Sequence, residues 1–181
     1  GEDVNTSDPE LDDPDHALDF MKQLLQAFAD MHAAGYVHRD IKIENILRIR
    51  SKDKTIYKVI DFGFSAKINA PEKNVGTLML MPPNLLIGYF FVKNAKVRCN
   101  TKDDVYSLGS TFFEIFNILK KSYMEIANEH INRNRTQVLR KFLHYGRFQY
   151  EYVRENFIAP ALKDHRLKIL IMDMLHPDKN Q

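Results

Sequence analysis

Residues 38–45 read His38-Arg39-Asp40-Ile41-Lys42-Ile43-Glu44-Asn45, and sixteen residues after Asn45 the chain reads Asp61-Phe62-Gly63. Asp40 can accept a proton from a hydroxyl group, and Lys42 can place a positive charge beside a phosphoryl group. Asn45 and Asp61 offer oxygen atoms of the kind that Mg²⁺ prefers as ligands. Asp-Phe-Gly alone would be a weak signal. In this order and at this spacing, the two stretches together predict a phosphoryl-transfer site.

The pattern H-R-D-x-K-x-x-N followed by D-F-G resembles the signature of the eukaryotic-type protein kinases. The lysine two positions after the aspartate is typical of their serine/threonine subgroup. The resemblance continues in residues 76–84, which are similar to the family's segment from Gly-Thr to Ala-Pro-Glu, and in residues 103–109 and 174–178. It implies an α+β, mainly helical fold. Residues 1–181 would form a protein-kinase-like C-terminal lobe (C-lobe) with a small antiparallel β element.

The resemblance also implies a role for each candidate site residue. Asp40 would orient or deprotonate the substrate hydroxyl, and Lys42 would contact the γ-phosphate of ATP. The implied catalytic residues are Asp40, Lys42, Asn45, Asp61 and Thr77. The implied cofactor-binding residues are Lys42, Glu44, Asn45, Leu47 and Asp61. The implied Mg²⁺ ligands are Asn45 and Asp61. Leu47 would lie under the adenine ring, and Thr77 would hydrogen-bond to Asp40 and Lys42. ATP and Mg²⁺ are therefore the expected cofactors.

Further contacts are expected around this site from the same resemblance. Asp104 occupies the position whose carboxylate holds the backbone of the catalytic loop. His38 and Phe62 would stack in a buried column of side chains. Arg39 would pair with an anion in the following loop, and Glu72 could supply a fixed negative charge for it.

Two residues bear on the substrate. Glu44 resembles the acid with which some kinases bind a substrate arginine, although a plain exposed acid is an equally good interpretation. Phe64, directly after Asp-Phe-Gly, is typical of kinases that favour serine as the acceptor. The expected partner is thus a protein substrate with basic residues near the acceptor serine.

The other half of a kinase is not recognisable in the sequence. No Gly-rich phosphate loop and no strand lysine precede the catalytic run, and only 37 residues lie before His38. We therefore expect the N-terminal lobe (N-lobe) to be absent from this chain, and the 181 residues alone to be poorly active. The alternative is a truncated or pseudokinase binding module, a decoy that captures kinases or an N-lobe partner through the exposed lobe surface.

Composition sets broader limits. An apolar content of 44% and a charged content of 28% are typical of a globular domain. The single cysteine, Cys99, allows no internal disulfide and favours a reducing, cytoplasmic location. No apolar run approaches the ~20 residues of a membrane span. The basic residues are spread without interleaved aromatic side chains, which argues against a nucleic-acid partner.

Hydrophobic periodicity and turn residues predict the local elements. Residues 1–13 carry many acids and two prolines nearby, which predicts an irregular acidic lead-in. Asp13-Pro14 is a helix-start signal, and apolar residues then recur every three or four positions to about His32. Residues 46–50 and 55–60 flank a polar turn and predict a β-hairpin. Residues 63–84 are expected to be a loop, and residues 104–117 a buried helix.

Overall fold

The structure, a computed structural model, describes residues 1–4, 8–92, 94, 96–116 and 165–176. The strands are β1 Glu2–Asp3, β2 Tyr36–Val37, β3 Ile46–Arg50, β4 Thr55–Val59, β5 Ala66–Lys67, β6 Pro71–Lys73 and β7 Lys96–Arg98. The α-helices are α1 Pro14–Ala33, α2 Pro83–Phe91, α3 Thr101–Phe116 and α4 His165–Met174, and single 3₁₀ turns span Pro9–Asp12, Ile43–Asn45 and Leu78–Leu80. The described part is therefore α+β, with small antiparallel sheets among longer helices.

Helix α1 confirms the predicted start and end. The carboxylate of Asp13 accepts hydrogen bonds from the backbone amides of Asp15 and His16, each at 3.0 Å, as an N-cap does. The helix ends before Gly35, whose φ of +88° lies in the left-handed region that glycine adopts without strain. Phe20 is fully buried, and with its neighbours on this face it anchors α1 in the core.

The hairpin of β3 and β4 is also as predicted. The two strands are antiparallel, with Ile46 opposite Val59 and Arg50 opposite Thr55. One face of the hairpin packs on α1, where the rings of Tyr57 and Phe20 meet edge to face at 4.7 Å. Because the sheet has period two, Leu47 points to the opposite face of the hairpin.

The prediction of an irregular segment over residues 1–13 is wrong for its described parts. Strand β1 pairs with β3, placing Glu2 opposite Arg48, and residues 9–12 form a 3₁₀ turn. The acids are counter-ions for the hairpin. Arg48 forms salt bridges with Asp8, with Glu10 at 3.3 Å and with Glu2 at 3.2 Å. The composition of the segment did not reveal Arg48 as the partner of these acids, because it lies some 40 positions further along the chain.

The predicted loop over residues 63–84 contains more structure than the sequence indicates. Strand β2 pairs with β5, strand β6 pairs with β7, and helix α2 begins at Pro83, one residue before the expected end of the loop. Strands of two or three residues are too short to show an alternation of apolar and polar side chains. The sequence therefore carried no periodic signal for them.

Helix α3 lies at the centre of the core, as its apolar residues predict. Phe112 is fully buried, and its ring centroid lies 6.1 Å from that of Phe20 on α1. Gly109 allows close contact with α4, since a Cβ atom built there would lie 2.7 Å from the Cβ of Met174. Asn117, the last residue of the predicted helix, is outside the described residues. No helix in the described part of the chain is long and apolar enough to cross a membrane.

Candidate active site

The loop that follows β2 is held in place by one carboxylate of α3. Asp104, which is buried, accepts hydrogen bonds from the backbone amide of His38 at 2.8 Å and from that of Arg39 at 2.9 Å. The Nε2 atom of His32 on α1 lies 2.9 Å from the same carboxylate. The expected contact between Asp104 and the loop backbone is therefore present. It fixes a loop in which Arg39 has a φ of +74°, a conformation that costs free energy in a non-glycine residue.

Asp40 lies in a pocket of hydrogen-bond donors directly after this anchor. Its side chain is 6% exposed; Thr77 Oγ1 donates to Oδ1 at 2.8 Å, and Lys42 Nζ lies 2.9 Å from Oδ2. Burial acts to raise the pKa of Asp40, but the hydrogen bonds and charge of Lys42 and the bond from Thr77 outweigh it and hold the pKa below 3.8. Thr77 and Lys42 thus meet through the Asp40 carboxylate rather than by a direct bond.

Asn45 and Asp61 are brought together by the hairpin. The amide of Ile60, the residue before Asp61, donates to the carbonyl of Asn45 at 2.9 Å. The side-chain nitrogen of Asn45 donates to the Asp40 carbonyl at 2.8 Å, which leaves its side-chain oxygen available as a ligand. Asp61 is exposed, and its Oδ1 accepts from the Gly63 amide at 3.2 Å.

These two residues fit a magnesium ion. Mg²⁺ is usually held by one or two protein ligands together with phosphates and water, so a large cluster is not required. In the described residues there is no group of three or more His, Cys, Asp or Glu side chains that could hold a metal. The donors at Asn45 and Asp61 are hard oxygen atoms, as Mg²⁺ prefers.

The ring of His38 links the loop to the Asp-Phe-Gly stretch. It is fully buried, with Nε2 at 3.1 Å from the Ile60 carbonyl, while Nδ1 accepts from the Asp40 amide at 3.3 Å. These contacts fit the tautomer that carries its proton on Nε2. The Phe28 and Phe62 rings lie 6.0 and 5.4 Å from it, but Phe62 is 56% exposed. The expected column is therefore buried on one side only.

Arg39 does not form the expected ion pair with Glu72. In the described part of the chain its guanidinium donates to the backbone carbonyls of Phe64, at 3.1 Å, and Lys73. The Glu72 side chain is exposed. Because two carbonyls supply the negative partial charge, the loop segment is bound to Arg39 without a carboxylate or phosphate.

Leu47 and Glu44 lie in neighbouring elements, a strand and a 3₁₀ turn. Leu47 is half-buried on the hairpin face that points away from α1, with Asp3 opposite it on one strand and Lys58 opposite it on the other. Glu44 is exposed in the 3₁₀ turn between Lys42 and Asn45. Leu47 thus offers a small apolar surface, and Glu44 an exposed carboxylate.

The family profile "Protein kinase domain" matches residues 7–181 of the sequence. The chain belongs to the protein kinase domain family. It is 37% identical over 106 residues to Cyclin-dependent kinase 2 of Caenorhabditis elegans. This match covers 56% of this chain and 26% of that protein. It is also 26% identical over 164 residues to the human serine/threonine-protein kinase Kist, covering 88% of this chain and 36% of that protein.

The similarity covers only part of each relative. A chain in the crystal structure of the yeast RNA Pol II CTD kinase CTDK-1 complex is 30% identical, with a TM-score of 0.46, over 63% of this chain and 33% of that one. The matched segment makes up 26% of the Caenorhabditis elegans relative and 36% of the human one.

One residue beside the kinase site was not found from the sequence. Glu114 is a mostly buried acid in the apolar stretch of α3, next to Phe113 and Ile115. Burial in the first place, and the nearby Glu44 carboxylate in the second, raise the pKa of Glu114 to about 7. The signal was in the sequence, because a single acid among apolar residues of a buried helix needs a partner or a function.

Glu114→Gln is expected to stabilise the kinase chain in a pH-dependent way. The pKa in the folded state is about 7 against an ordinary 4.5, so ionising Glu114 opposes folding. The penalty is small below pH 4.5, grows between pH 4.5 and 7, and is complete above pH 7. At ~1.4 kcal/mol per pKa unit, the variant should gain about 3 kcal/mol at pH 8 and about 1 kcal/mol at pH 5.

Urea unfolding of the chain at pH 5 and pH 8 measures this difference. Glu44→Gln is the matched control, because it removes the second cause of the shift while Glu44 itself is exposed; it should give a smaller gain at pH 8. A gain for Glu114→Gln that is equal at both pH values would contradict the assignment.

Proposed function

We propose that this chain is the C-lobe of a serine/threonine protein kinase, which transfers the γ-phosphoryl group of ATP to a protein hydroxyl. The observation that carries the proposal is the set of contacts around Asp40, in which Thr77 and Lys42 bind its two oxygens and Asn45 binds its carbonyl. These contacts support a site with a carboxylate, a cation and, at Asn45 and Asp61, side-chain oxygens of the kind that Mg²⁺ prefers. Phosphoryl transfer depends on such positioning and charge stabilisation.

Asp40 is proposed to orient the acceptor hydroxyl more than to deprotonate it in advance. A carboxylate whose pKa lies below its ordinary value is a weak base at neutral pH. It remains a good hydrogen-bond acceptor, and the bonds from Thr77 and Lys42 fix its direction. The hydroxyl proton would pass to Asp40 as the new phosphate ester bond forms and the bond to the ADP oxygen breaks.

The remaining groups are proposed to hold the nucleotide. Asn45 and Asp61 would bind Mg²⁺, which supplies positive charge to the phosphates. Lys42 would add its charge at the γ-phosphate, and the half-buried side chain of Leu47 would support the adenine ring from below. The opposite wall of the nucleotide site would come from an N-lobe, within a longer form of this protein or from a partner, in an intracellular, reducing setting.

Glu44 and Glu114 together support a substrate with basic residues near the acceptor serine. Burial in the first place, and the negative charge of Glu44 in the second, raise the pKa of Glu114. An arginine or lysine side chain between them would relieve this repulsion. Charge complementarity therefore favours a basic substrate residue on the Glu44 side of Asp40.

The second candidate function is a binding module that captures kinases or an N-lobe. The exposed rings of Phe62 and Phe64, at 56% and 46%, favour it, because large exposed apolar side chains are typical of surfaces that bind a partner. Such a module would bind through these rings and would not need Asp40 to be ionised.

A phosphorylation assay separates the two. The longest natural form of the protein is incubated with γ-labelled ATP and with one of two arginine-containing peptides, which differ only in having serine or threonine as the acceptor. Each reaction is run with Mg²⁺ and with EDTA. The kinase proposal expects transfer that requires Mg²⁺ and is faster to serine. Absence of transfer in a form that includes an N-lobe would overturn the proposal and leave the binding module.

A further inference from the structure

The short ribbon formed by β6 and β7 carries three cations on one face. The register pairs Pro71 with Arg98, Glu72 with Val97, and Lys73 with Lys96. Because side chains alternate along a strand, Lys73, Lys96 and Arg98 share a face, and Glu72 lies on the other one. All three cations are exposed. We call this surface the basic face of the ribbon.

The basic face points away from the protein. Val97, on the other face, is partly buried and lines a cavity together with Arg39, Asp40 and Thr77. At Val97, this side of the ribbon therefore faces the cavity beside the catalytic loop. The outer side, with its cations, is open to an incoming molecule.

The arrangement is electrostatically unfavourable without a partner. Lys73 and Lys96 are directly opposite each other, and like charges in that position destabilise a strand pair. Within the described ranges, neither ammonium group has a carboxylate at salt-bridge distance. Among the residues that the structure describes, the guanidinium of Arg98 donates to the Asn69 carbonyl, at 3.3 Å, and to no carboxylate. A bound anion would remove this repulsion.

The ribbon is also close to the catalytic centre. The carbonyl of Lys73 accepts a hydrogen bond from Arg39, the residue before Asp40. Lys73 precedes Thr77 by four residues, which spans at most about 14 Å of extended chain, and Thr77 donates to Asp40. A substrate residue two to four positions from the acceptor can therefore reach the basic face.

We propose that the basic face of the ribbon is a subsite for an acidic side chain of the protein substrate, two to four residues from the acceptor serine. The proposal rests on the proposed kinase function and adds to it a second determinant. Glu44 and Glu114 would select a basic residue on one side of Asp40, and Lys73, Lys96 and Arg98 an acidic one on the other. The substrate would then be a segment with both charges.

Peptide binding without ATP tests the subsite. The probe is a fluorescent peptide with one serine flanked by aspartates two to four positions away, and its twin has asparagines in their place. The full-length protein is titrated by fluorescence polarisation at low and high salt. Lys73→Ala/Lys96→Ala is compared with Lys52→Ala/Lys54→Ala, a control that removes two exposed lysines from the β3–β4 turn.

The acidic peptide should bind about tenfold more tightly than its twin at low salt, and the ribbon variant should lose this difference while the turn variant keeps it. Lys96→Glu should abolish the preference and raise the melting temperature, because it faces Lys73 with an opposite charge; the loss cannot then be ascribed to unfolding. Equal binding of the two peptides, or an equal loss in both double variants, would overturn the subsite. So would displacement by a single-stranded oligonucleotide together with no peptide preference.

Failure of this subsite and failure of the kinase function are distinguishable. Binding is measured without nucleotide, so an inactive protein can still show the preference. A protein that transfers phosphate but shows no preference would refute the subsite alone.

Discussion

Asp40→Asn will reduce phosphoryl transfer by a factor of about 10² to 10⁴, the range that a positioned acid–base group contributes. The asparagine oxygen can still accept the hydrogen bond from Thr77, so this contact of the loop is kept. It cannot take the proton of the acceptor hydroxyl, and it offers Lys42 no full negative charge. The measurement is the initial rate of peptide phosphorylation by the longest natural form, with Mg²⁺ and ATP in excess.

The division between kcat and KM adds a second check on Asp40. Asp40 is not among the proposed Mg²⁺ ligands, so the loss should fall on kcat and leave the KM for ATP within a few-fold. Asp53→Asn, an exposed acid in the hairpin turn, is the charge-matched control and should behave like the wild type. If Asp40→Asn retained the wild-type rate, Asp40 would have no catalytic role.

Arg48→Met will destabilise the chain by about 3 to 5 kcal/mol, the largest effect on stability that we expect. Arg48 is buried in β3, and it is the counter-ion of Asp8, which is only 6% exposed. Methionine has a similar length but no charge. The variant therefore leaves the Asp8 carboxylate buried without its cation, and that unpaired charge causes most of the loss.

Two further variants isolate this effect in urea unfolding experiments. Arg50→Met removes a cation that binds the same acids, Glu2 at 2.7 Å and Glu10 at 2.6 Å, but from an exposed position, and should cost less than about 1 kcal/mol. Adding Asp8→Leu to Arg48→Met should recover most of the lost stability, since no buried charge remains. Equal losses for Arg48→Met and Arg50→Met would show that burial is not the cause.

Local elements with a strong periodic or capping signal were predictable from the sequence. Helix α1 begins after Asp13 and ends before Gly35, as the capping preferences of these residues indicate. The turn at residues 51–54 joins the two strands of the expected hairpin. The link between Asp104 and the catalytic loop was expected from the family resemblance alone, because nothing in local sequence connects residues so far apart.

Features that depend on distant partners were not predictable. In the described parts of the lead-in, Arg48 binds the acids at positions 2, 8 and 10. Arg39 binds the carbonyl of Lys73 rather than Glu72. Backbone carbonyls are present at every residue, so no sequence pattern marks the one that a guanidinium will bind. Glu114 is visible in the sequence as a single acid among the apolar residues of α3, but its raised pKa depends on how that helix is packed.

The bonds to Asp104 have a consequence for how the site assembles during folding. The His38 and Arg39 amides depend on an acceptor that lies 66 and 65 positions further along the chain. Contacts of such sequence separation are slow to form, because a long loop must close first. The catalytic loop therefore gains its geometry only when α3 docks beside α1, and it loses that geometry when they separate. On the proposed kinase function, a partly folded intermediate with an intact hairpin would be inactive.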